Sequence, residues 1–169
     1  MIMTILKYGA PSLREISRPV EKFDDGLEKL TTDMFETMYA APGVGLAAPQ
    51  VGMNIRLIVI DISGGKEPGN KIILCNPRIL ASEGTQDGDE GCLSVPDFYE
   101  RLARPMKIAV EARNTKGESF QLEGDGLLAR AISHEIDHLD GVMFVDRLSP
   151  LKRALVRGKI KKLIKAGDW

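Results

Sequence analysis

The only two histidines of this chain lie four residues apart in the segment AISHEIDHLDG, residues 131 to 141. Positions four apart in an α-helix differ by about 40° around the axis and about 6 Å along it, so His134 and His138 can bind one ion. Glu135 lies about 100° around the helix from His134 and can reach a water molecule on that ion without ligating it. The pattern H-E-x-x-H is typical of metallohydrolases and predicts a metal site with Glu135 as general base.

A catalytic metal site of this kind needs a third protein ligand and an open position for water. The chain has no third histidine. The downstream Asp140 and Asp146 could each offer a carboxylate, but Cys92 offers a thiolate, which is a stronger ligand for iron or zinc. The sequence therefore favours two histidines and Cys92 as ligands. The alternative is that Cys92 is a small buried hydrophobic residue, as we expect Cys75 to be in its apolar strand.

The segment GVGLAA, residues 43 to 48, formally satisfies the dinucleotide-binding fingerprint G-x-G-x-x-A. Its context contradicts a nucleotide site, because it follows a predicted helix rather than a strand, and Pro49 blocks the helix that should begin there. An ordered loop, whose glycines let the backbone approach an active site closely, is the better interpretation.

Apolar residues recur at helical spacing in three segments, the second of which carries both histidines. We expect Asp125 to cap this second helix and Gly141 to end it, and Ser149 with Pro150 to begin the third. The predicted helices span residues 25 to 41, 126 to 140 and 150 to about 166.

Alternating apolar and polar residues predict two antiparallel hairpins. The first joins IRLIVID (55 to 61) to KIILCN (71 to 76), and the second joins MKIAVEARN (106 to 114) to ESFQLEG (118 to 124). The segment 81 to 91 is polar and rich in turn residues, and the following residues show no clean period.

Helices and strands do not alternate along the chain, so the predicted fold class is α+β. We expect mostly antiparallel strands packed around a central H-E-x-x-H helix, with an N-terminal helix and a C-terminal helix. The length of 169 residues predicts a single catalytic domain spanning residues 1–169.

The composition is that of a globular protein, with 43% hydrophobic and 28% charged residues and a net charge of -1. This charge predicts no general affinity for DNA. The chain shows no signal-peptide pattern and no apolar run of the roughly 20 residues that cross a bilayer, so we expect a cytoplasmic protein with no membrane partner. In a reducing compartment, its two cysteines are expected to be thiols, or a thiol and a metal ligand.

Three segments together resemble the peptide deformylase family, metalloenzymes that remove the formyl group from the N-terminal methionine of newly made bacterial proteins. The segments are GVGLAAPQ (43 to 50), EGCLS (90 to 94) and HEIDH (134 to 138). The resemblance covers nearly the whole chain. It implies that Cys92, with the two histidines, forms the metal site, and that Glu135 is the catalytic acid and base.

The resemblance also assigns residues that contact substrate. It implies that Gln50 and the backbone N–H of Leu93 hold the formyl oxygen, and that the backbone of Gly45 pairs with the substrate peptide as an added strand. Val44 and Leu127 are placed near the methionine side chain, with plain core packing as the alternative for both.

Family members typically use Fe(2+), and Zn(2+), Ni(2+) or Co(2+) can substitute. The implied substrates are the formyl-Met N-termini of nascent peptides. The last 20 residues carry seven Lys or Arg and one acid, which suits either ribosome binding by a basic C-terminal helix or a solvated helix face. Ser133 departs from the glutamine that relatives often have, and the run DFYERLA lies in a part that varies among relatives.

Two other classes of protein share some of these features. An H-E-x-x-H metallopeptidase would leave EGCLS and GLAAPQ unexplained. A metal-stabilised binding module would close the coordination with a fourth protein ligand.

Overall fold

The computed structural model describes residues 1–169 and is an α+β fold. The helices are α1 (Asp25–Ala40), α2 (Gly126–Leu139) and α3 (Pro150–Ala166). The strands are β1 (Gly45–Ala47), β2 (Leu57–Ile60), β3 (Ile72–Glu83), β4 (Gln86–Cys92), β5 (Val95–Arg104), β6 (Lys107–Arg113) and β7 (Ser119–Asp125). Short 3-10 helices span Pro11–Arg14, Ala48–Val51 and Phe144–Arg147.

Five strands form one antiparallel sheet in the order β1-β2-β3-β6-β7, and β4 pairs with β5 in a separate hairpin. Both predicted hairpins are confirmed: Leu57 of β2 pairs with Cys75 of β3, and Lys107 of β6 pairs with Asp125 of β7. The order of the sheet leaves β1 at an edge, paired with β2 alone.

The strand β2 is buried on both faces, which explains its uninterrupted apolar sequence. Because successive side chains of a strand point to opposite faces, Leu57 and Val59 pack in one core cluster with α1. Ile58 and Ile60 point the other way and pack with Ile132 of α2. The five-stranded sheet therefore lies between α1 and α2, and α2 is held over its centre.

The helix α2 ends as the sequence predicts. Gly141 adopts the left-handed conformation with φ 74°, and a Cβ added there would lie 2.5 Å from the carbonyl oxygen of Arg14. Only glycine fits this position without a clash. The predicted cap at the other end is wrong in one respect: Asp125 occupies the N-cap position, but its side chain makes no capping hydrogen bond.

The hairpin of β4 and β5 is absent from the sequence prediction, which treats residues 81 to 91 as a polar, turn-rich segment. β3 in fact continues to Glu83, and β4 begins at Gln86 after a short turn. The alternation of apolar residues is missing here because Glu90 and Arg104 occupy buried positions and pair with each other. A pattern based on hydrophobicity cannot detect a strand whose inward residues are charged.

A third core cluster joins the start of β5 to α3, and its members include Phe144, Val156 and Ile160. Only part of the predicted apolar side of α3 is buried, since Leu155 and Ile164 are 57% and 53% exposed. No helix of the chain is both long enough and apolar enough to cross a membrane.

We predict that Ile58→Ala lowers the free energy of unfolding by about 2 to 5 kcal/mol, because Ile58 is fully buried between the sheet and α2. Urea denaturation followed by circular dichroism measures this change. The control is Ile79→Ala on β3, a site 45% exposed, where the change should stay within about 0.5 kcal/mol. Equal losses in the two variants would contradict the packing described here.

Candidate active site and metal centre

Three side chains from two distant parts of the chain converge on one point. Cys92 ends β4, and the two histidines lie on the inner face of α2. The Nε2 atoms of His134 and His138 are 3.2 Å apart, and Cys92 Sγ lies 3.3 Å from His138 Nε2. All three donor atoms fall within 4.8 Å of one another. The structure thus brings together the three ligands that the sequence favours.

These distances fit a shared metal ion. Typical metal–nitrogen and metal–sulfur bonds of about 2.05 and 2.3 Å in a tetrahedron separate two nitrogens by about 3.4 Å, and nitrogen from sulfur by about 3.6 Å. The observed separations of 3.2 and 3.3 Å are within a few tenths of an ångström of these values. His134 and His138 are 7% and 1% exposed, so both imidazoles are largely shielded from solvent.

A buried carboxylate orients the first imidazole. Glu90, two residues before Cys92 on β4, has its Oε2 atom 2.7 Å from His134 Nδ1. With Nδ1–H donating to the carboxylate, Nε2 keeps its lone pair for a metal. The sequence alone assigns no role to Glu90; its only signal there is an acidic residue two positions before a predicted ligand, in a segment with no apolar period.

Arginines hold Glu90 in turn. Arg104 donates from Nε to Oε1 at 2.9 Å and from Nη2 to Oε2 at 2.6 Å, and also from Nη1 to Asp137 at 2.7 Å. Arg147 donates to the same aspartate. Burial acts to raise the pKa of Glu90, but its hydrogen bonds with His134 and Arg104 outweigh this and hold the pKa well below the usual value. The carboxylate is therefore ionised at any ordinary pH.

The pKa values of the two imidazoles are shifted in opposite directions. Burial lowers the pKa of His134, but hydrogen bonds with Cys92 and Glu90 outweigh it, and the net effect raises the pKa. Burial and the positive charge of His134 both lower the pKa of His138. Because metal ligands must be deprotonated, binding of a cation at this point would be accompanied by loss of a proton from His134.

Glu135 lies beside the ligand atoms without joining them. It is 4% exposed, its Oε2 atom has no hydrogen-bond partner, and Oε1 lies 3.8 Å from His134 Nε2. Burial raises the pKa of Glu135 to about 7. A carboxyl group with a pKa near neutrality can both take up and release a proton, which suits a general acid and base.

Gln50 reaches the site from the 3-10 helix that follows β1. Its Oε1 atom accepts from the backbone N–H of Ala47 at 2.9 Å, which directs the Nε2 group toward Ser94 Oγ at 3.1 Å and Cys92 Sγ at 3.7 Å. Gln50 is 1% exposed, and its side-chain amide is thus fixed with the donor beside Cys92. Leu93 follows Cys92 directly in the chain.

A cavity of about 490 Å³ is lined by Cys92, Leu93, His134 and Glu135. Val44 and Leu127 line it and are 36% and 52% exposed, so neither is a core residue. Gly45, on the edge strand β1, lies so close to the helix that an added Cβ would be 3.0 Å from Glu135 Oε1. A second cleft of about 540 Å³, between β3, β6 and β7, contains none of the predicted site residues.

Comparison with known proteins gives one family. The family model described as polypeptide deformylase matches residues 2–154. The chain is 51% identical to a peptide deformylase of Acidobacterium capsulatum over 169 residues, which cover 100% of the chain and 99% of the relative. It is 49% identical to a peptide deformylase of Acinetobacter baumannii over 165 residues, which cover 97% of the chain and 93% of the relative.

Solved structures agree. The crystal structure of a peptide deformylase from Legionella pneumophila matches with a TM-score of 0.92 at 48% identity, over 99% of this chain and 98% of that one. The crystal structure of a peptide deformylase from Thermotoga maritima matches with a TM-score of 0.83 at 42% identity, over 89% of this chain and 99% of that one. The resemblance seen in the sequence is confirmed, and the chain belongs to the polypeptide deformylase family.

Proposed function

We propose that this chain is a metal-dependent hydrolase that removes the N-formyl group from the N-terminal formylmethionine of newly synthesised polypeptides and releases formate. The observation that carries the proposal is the convergence of Cys92, His134 and His138 beside a buried carboxyl group of nearly neutral pKa. Family membership agrees with it. The direct test is formate release from a formyl-Met peptide by anaerobic, iron-loaded protein; no release would reject the proposal.

Each residue of the site has its own role in the proposed reaction. A metal ion held by the three ligands would lower the pKa of a water molecule and polarise the formyl carbonyl. Glu135 takes a proton as the water attacks the formyl carbon, and then passes a proton to the departing amine. Gln50 Nε2 and the backbone N–H of Leu93 donate to the formyl oxygen as it gains negative charge.

The substrate peptide is held by the cavity and by the free edge of β1. Gly45 pairs through its backbone with the extended peptide, as in other cases of strand addition. Val44 and Leu127 contact the side chain of the formylated methionine, which is consistent with their exposure to the cavity. The whole chain, residues 1–169, acts as one catalytic domain.

We propose Fe(2+) as the metal in the cell, with Ni(2+), Co(2+) or Zn(2+) able to replace it. One thiolate and two imidazoles suit all four of these ions. Because the substrates are nascent chains, the proposed location is the cytoplasm.

A further proposed partner is the ribosome, bound through α3. The helix exposes Lys159, Lys161, Lys162 and Lys165 to solvent, together with the apolar Leu155. Such a surface is suited to rRNA phosphates, and its binding would weaken with salt.

Replacing the proposed proton carrier separates chemistry from metal binding. Glu135→Gln should lower kcat by about 100-fold or more, since it removes the general acid and base but no ligand. Elemental analysis should find the bound metal nearly unchanged. His134→Ala should instead lose the metal itself, and Glu123→Gln, an exposed substitution on β7, should change neither quantity. Wild-type turnover by Glu135→Gln would exclude the role.

The identity of the bound metal determines how long the enzyme stays active in air. A ferrous ion on a thiolate ligand is open to oxidation by oxygen, so the iron-loaded protein should lose activity in air much faster than the nickel-loaded protein. Activity against time in aerated buffer, with a matched anaerobic sample of each form, measures the two lifetimes. Equal lifetimes would contradict the prediction.

Charge reversal tests the ribosome proposal without removing buried residues of α3. Lys159→Glu with Lys162→Glu should weaken cosedimentation with ribosomes, and the wild-type binding should fall as salt rises. The control, Lys66→Glu with Lys116→Glu, makes the same change of net charge at exposed positions elsewhere and should bind like wild type. Equal loss in both double variants would reject α3 as the docking surface.

A further inference from the structure

One side of the cavity has no role in the proposed reaction. The β4–β5 hairpin contributes Asp89, Asp97 and Tyr99 to the lining, and all three are exposed. The proposed function assigns the methionine side chain to residues from other elements of the chain. A nascent polypeptide continues beyond its methionine, so the hairpin side of the cavity is left for the residues that follow.

The residues after the methionine can reach this side. A peptide that pairs with Gly45 as an added strand is extended, and an extended chain advances by about 3.3 Å per residue. Its second and third residues therefore lie within about 7 Å of the first. The formyl group must lie beside Cys92, and Tyr99 lies directly opposite Gly91, the residue before Cys92, in the hairpin. The hairpin side thus begins next to the metal ligands and extends along the path of the peptide.

Tyr99 presents an open aromatic surface to the cavity. Its ring lies against Gly91, where an added Cβ would be 2.5 Å from Tyr99 Cε1. The ring covers the backbone of its cross-strand neighbour in this way, yet the residue remains 70% exposed. An aromatic ring that is held on one side and open on the other can contact the aliphatic stem of a long side chain, or a cation at its end.

The two carboxylates on this side have no ionic partner. Neither Asp89 nor Asp97 takes part in any salt bridge or side-chain hydrogen bond of the structure. Asp87, two residues before Asp89 on the same strand, differs in this respect, because its Oδ2 atom lies 4.0 Å from Arg101 Nε. The negative charges that line the cavity are therefore left uncompensated by the hairpin itself.

No free cation elsewhere in the lining offsets them. Arg130 is the only lysine or arginine that lines the cavity, and its side chain is 9% exposed. Its guanidinium already donates to Glu90 and to the carbonyl oxygen of Leu102. A cavity with uncompensated negative charge attracts cationic groups and repels anionic ones, over a range of about 10 Å at 0.1 M ionic strength.

Building on the proposed function, we propose that Asp89, Asp97 and Tyr99 are specificity-determining residues that favour lysine or arginine at the second and third positions of the formylated peptide. The carboxylates attract the ammonium or guanidinium group, and the ring contacts the aliphatic stem and the cation. Glutamate or aspartate at the same positions is repelled by both carboxylates. Because the preference rests on charge, it weakens as salt rises.

The test compares three amidated tripeptides in which formylmethionine is followed by two lysines, two glutamines or two glutamates. At low ionic strength, kcat/KM of the metal-loaded wild type should be about tenfold or more higher for the lysine peptide than for the glutamate peptide. In about 0.5 M salt, this ratio should fall severalfold, since the charges are screened.

Two variants assign the preference to this side of the cavity. Asp89→Asn with Asp97→Asn should lower the lysine-to-glutamate ratio by about tenfold, mainly through KM, because the attraction precedes the chemical step. Tyr99→Leu still covers Gly91 and should lower the lysine-to-glutamine ratio by about threefold, since it removes the aromatic face. Metal content is measured in each preparation.

The control variant is Glu83→Gln with Glu123→Gln, which makes the same change of net charge as the double asparagine variant at exposed positions outside the cavity. Its ratios should match wild type. An unchanged lysine-to-glutamate ratio in the double asparagine variant, or an equal fall in the control, overturns the inference. An unchanged lysine-to-glutamine ratio in Tyr99→Leu overturns the role of the ring.

The wild type alone also decides, should a variant not fold. A glutamate peptide hydrolysed as fast as the lysine peptide at low ionic strength overturns the inference and leaves the proposed function intact, because formate is still released. No formate from any of the three peptides overturns both.

Discussion

The carboxylate of Glu90 is the contact on which the geometry of the site depends. It lies on the β4–β5 hairpin, which no strand pairing joins to the five-stranded sheet. Its hydrogen bond with His134 ties the hairpin to α2, and Arg104, which also pairs with Glu90, adds a second tie by donating to Asp137 of the same helix. Cys92 follows Glu90 by only two residues. Breaking such a buried ionic network by removing one partner costs about 3 to 5 kcal/mol. The position of the sulfur relative to both rings therefore rests on this carboxylate.

The two buried glutamates near the site, Glu90 and Glu135, have pKa values shifted in opposite directions by their surroundings. Glu90 is surrounded by donors that outweigh its burial, and it stays ionised. Glu135 has burial as its main influence, which brings its pKa to about 7, and one of its oxygens has no partner. One carboxyl group is thus fixed as a permanent negative charge, and the other can exchange a proton. The same residue type serves structure in one place and is free for reaction in the other.

Much of this arrangement follows from the sequence. The spacing of the histidines gives a shared helical face, Gly141 gives the helix end, and the two hairpins follow from alternating side chains. Cys92 is predicted as the third ligand because a thiolate binds iron or zinc more strongly than a carboxylate. The β4–β5 hairpin and the roles of Glu90 and Arg104 do not follow, because their inward positions are charged, and a buried pair of charges looks like surface in a hydrophobicity pattern.

The two histidines of this chain lie at one site, with their Nε2 atoms 3.2 Å apart. Every histidine side-chain resonance in a nitrogen-15 NMR spectrum therefore originates at the candidate metal centre, with no background from elsewhere and little need for assignment. Tautomer, protonation and cation exchange can be followed there in the unmodified polypeptide, without an attached probe.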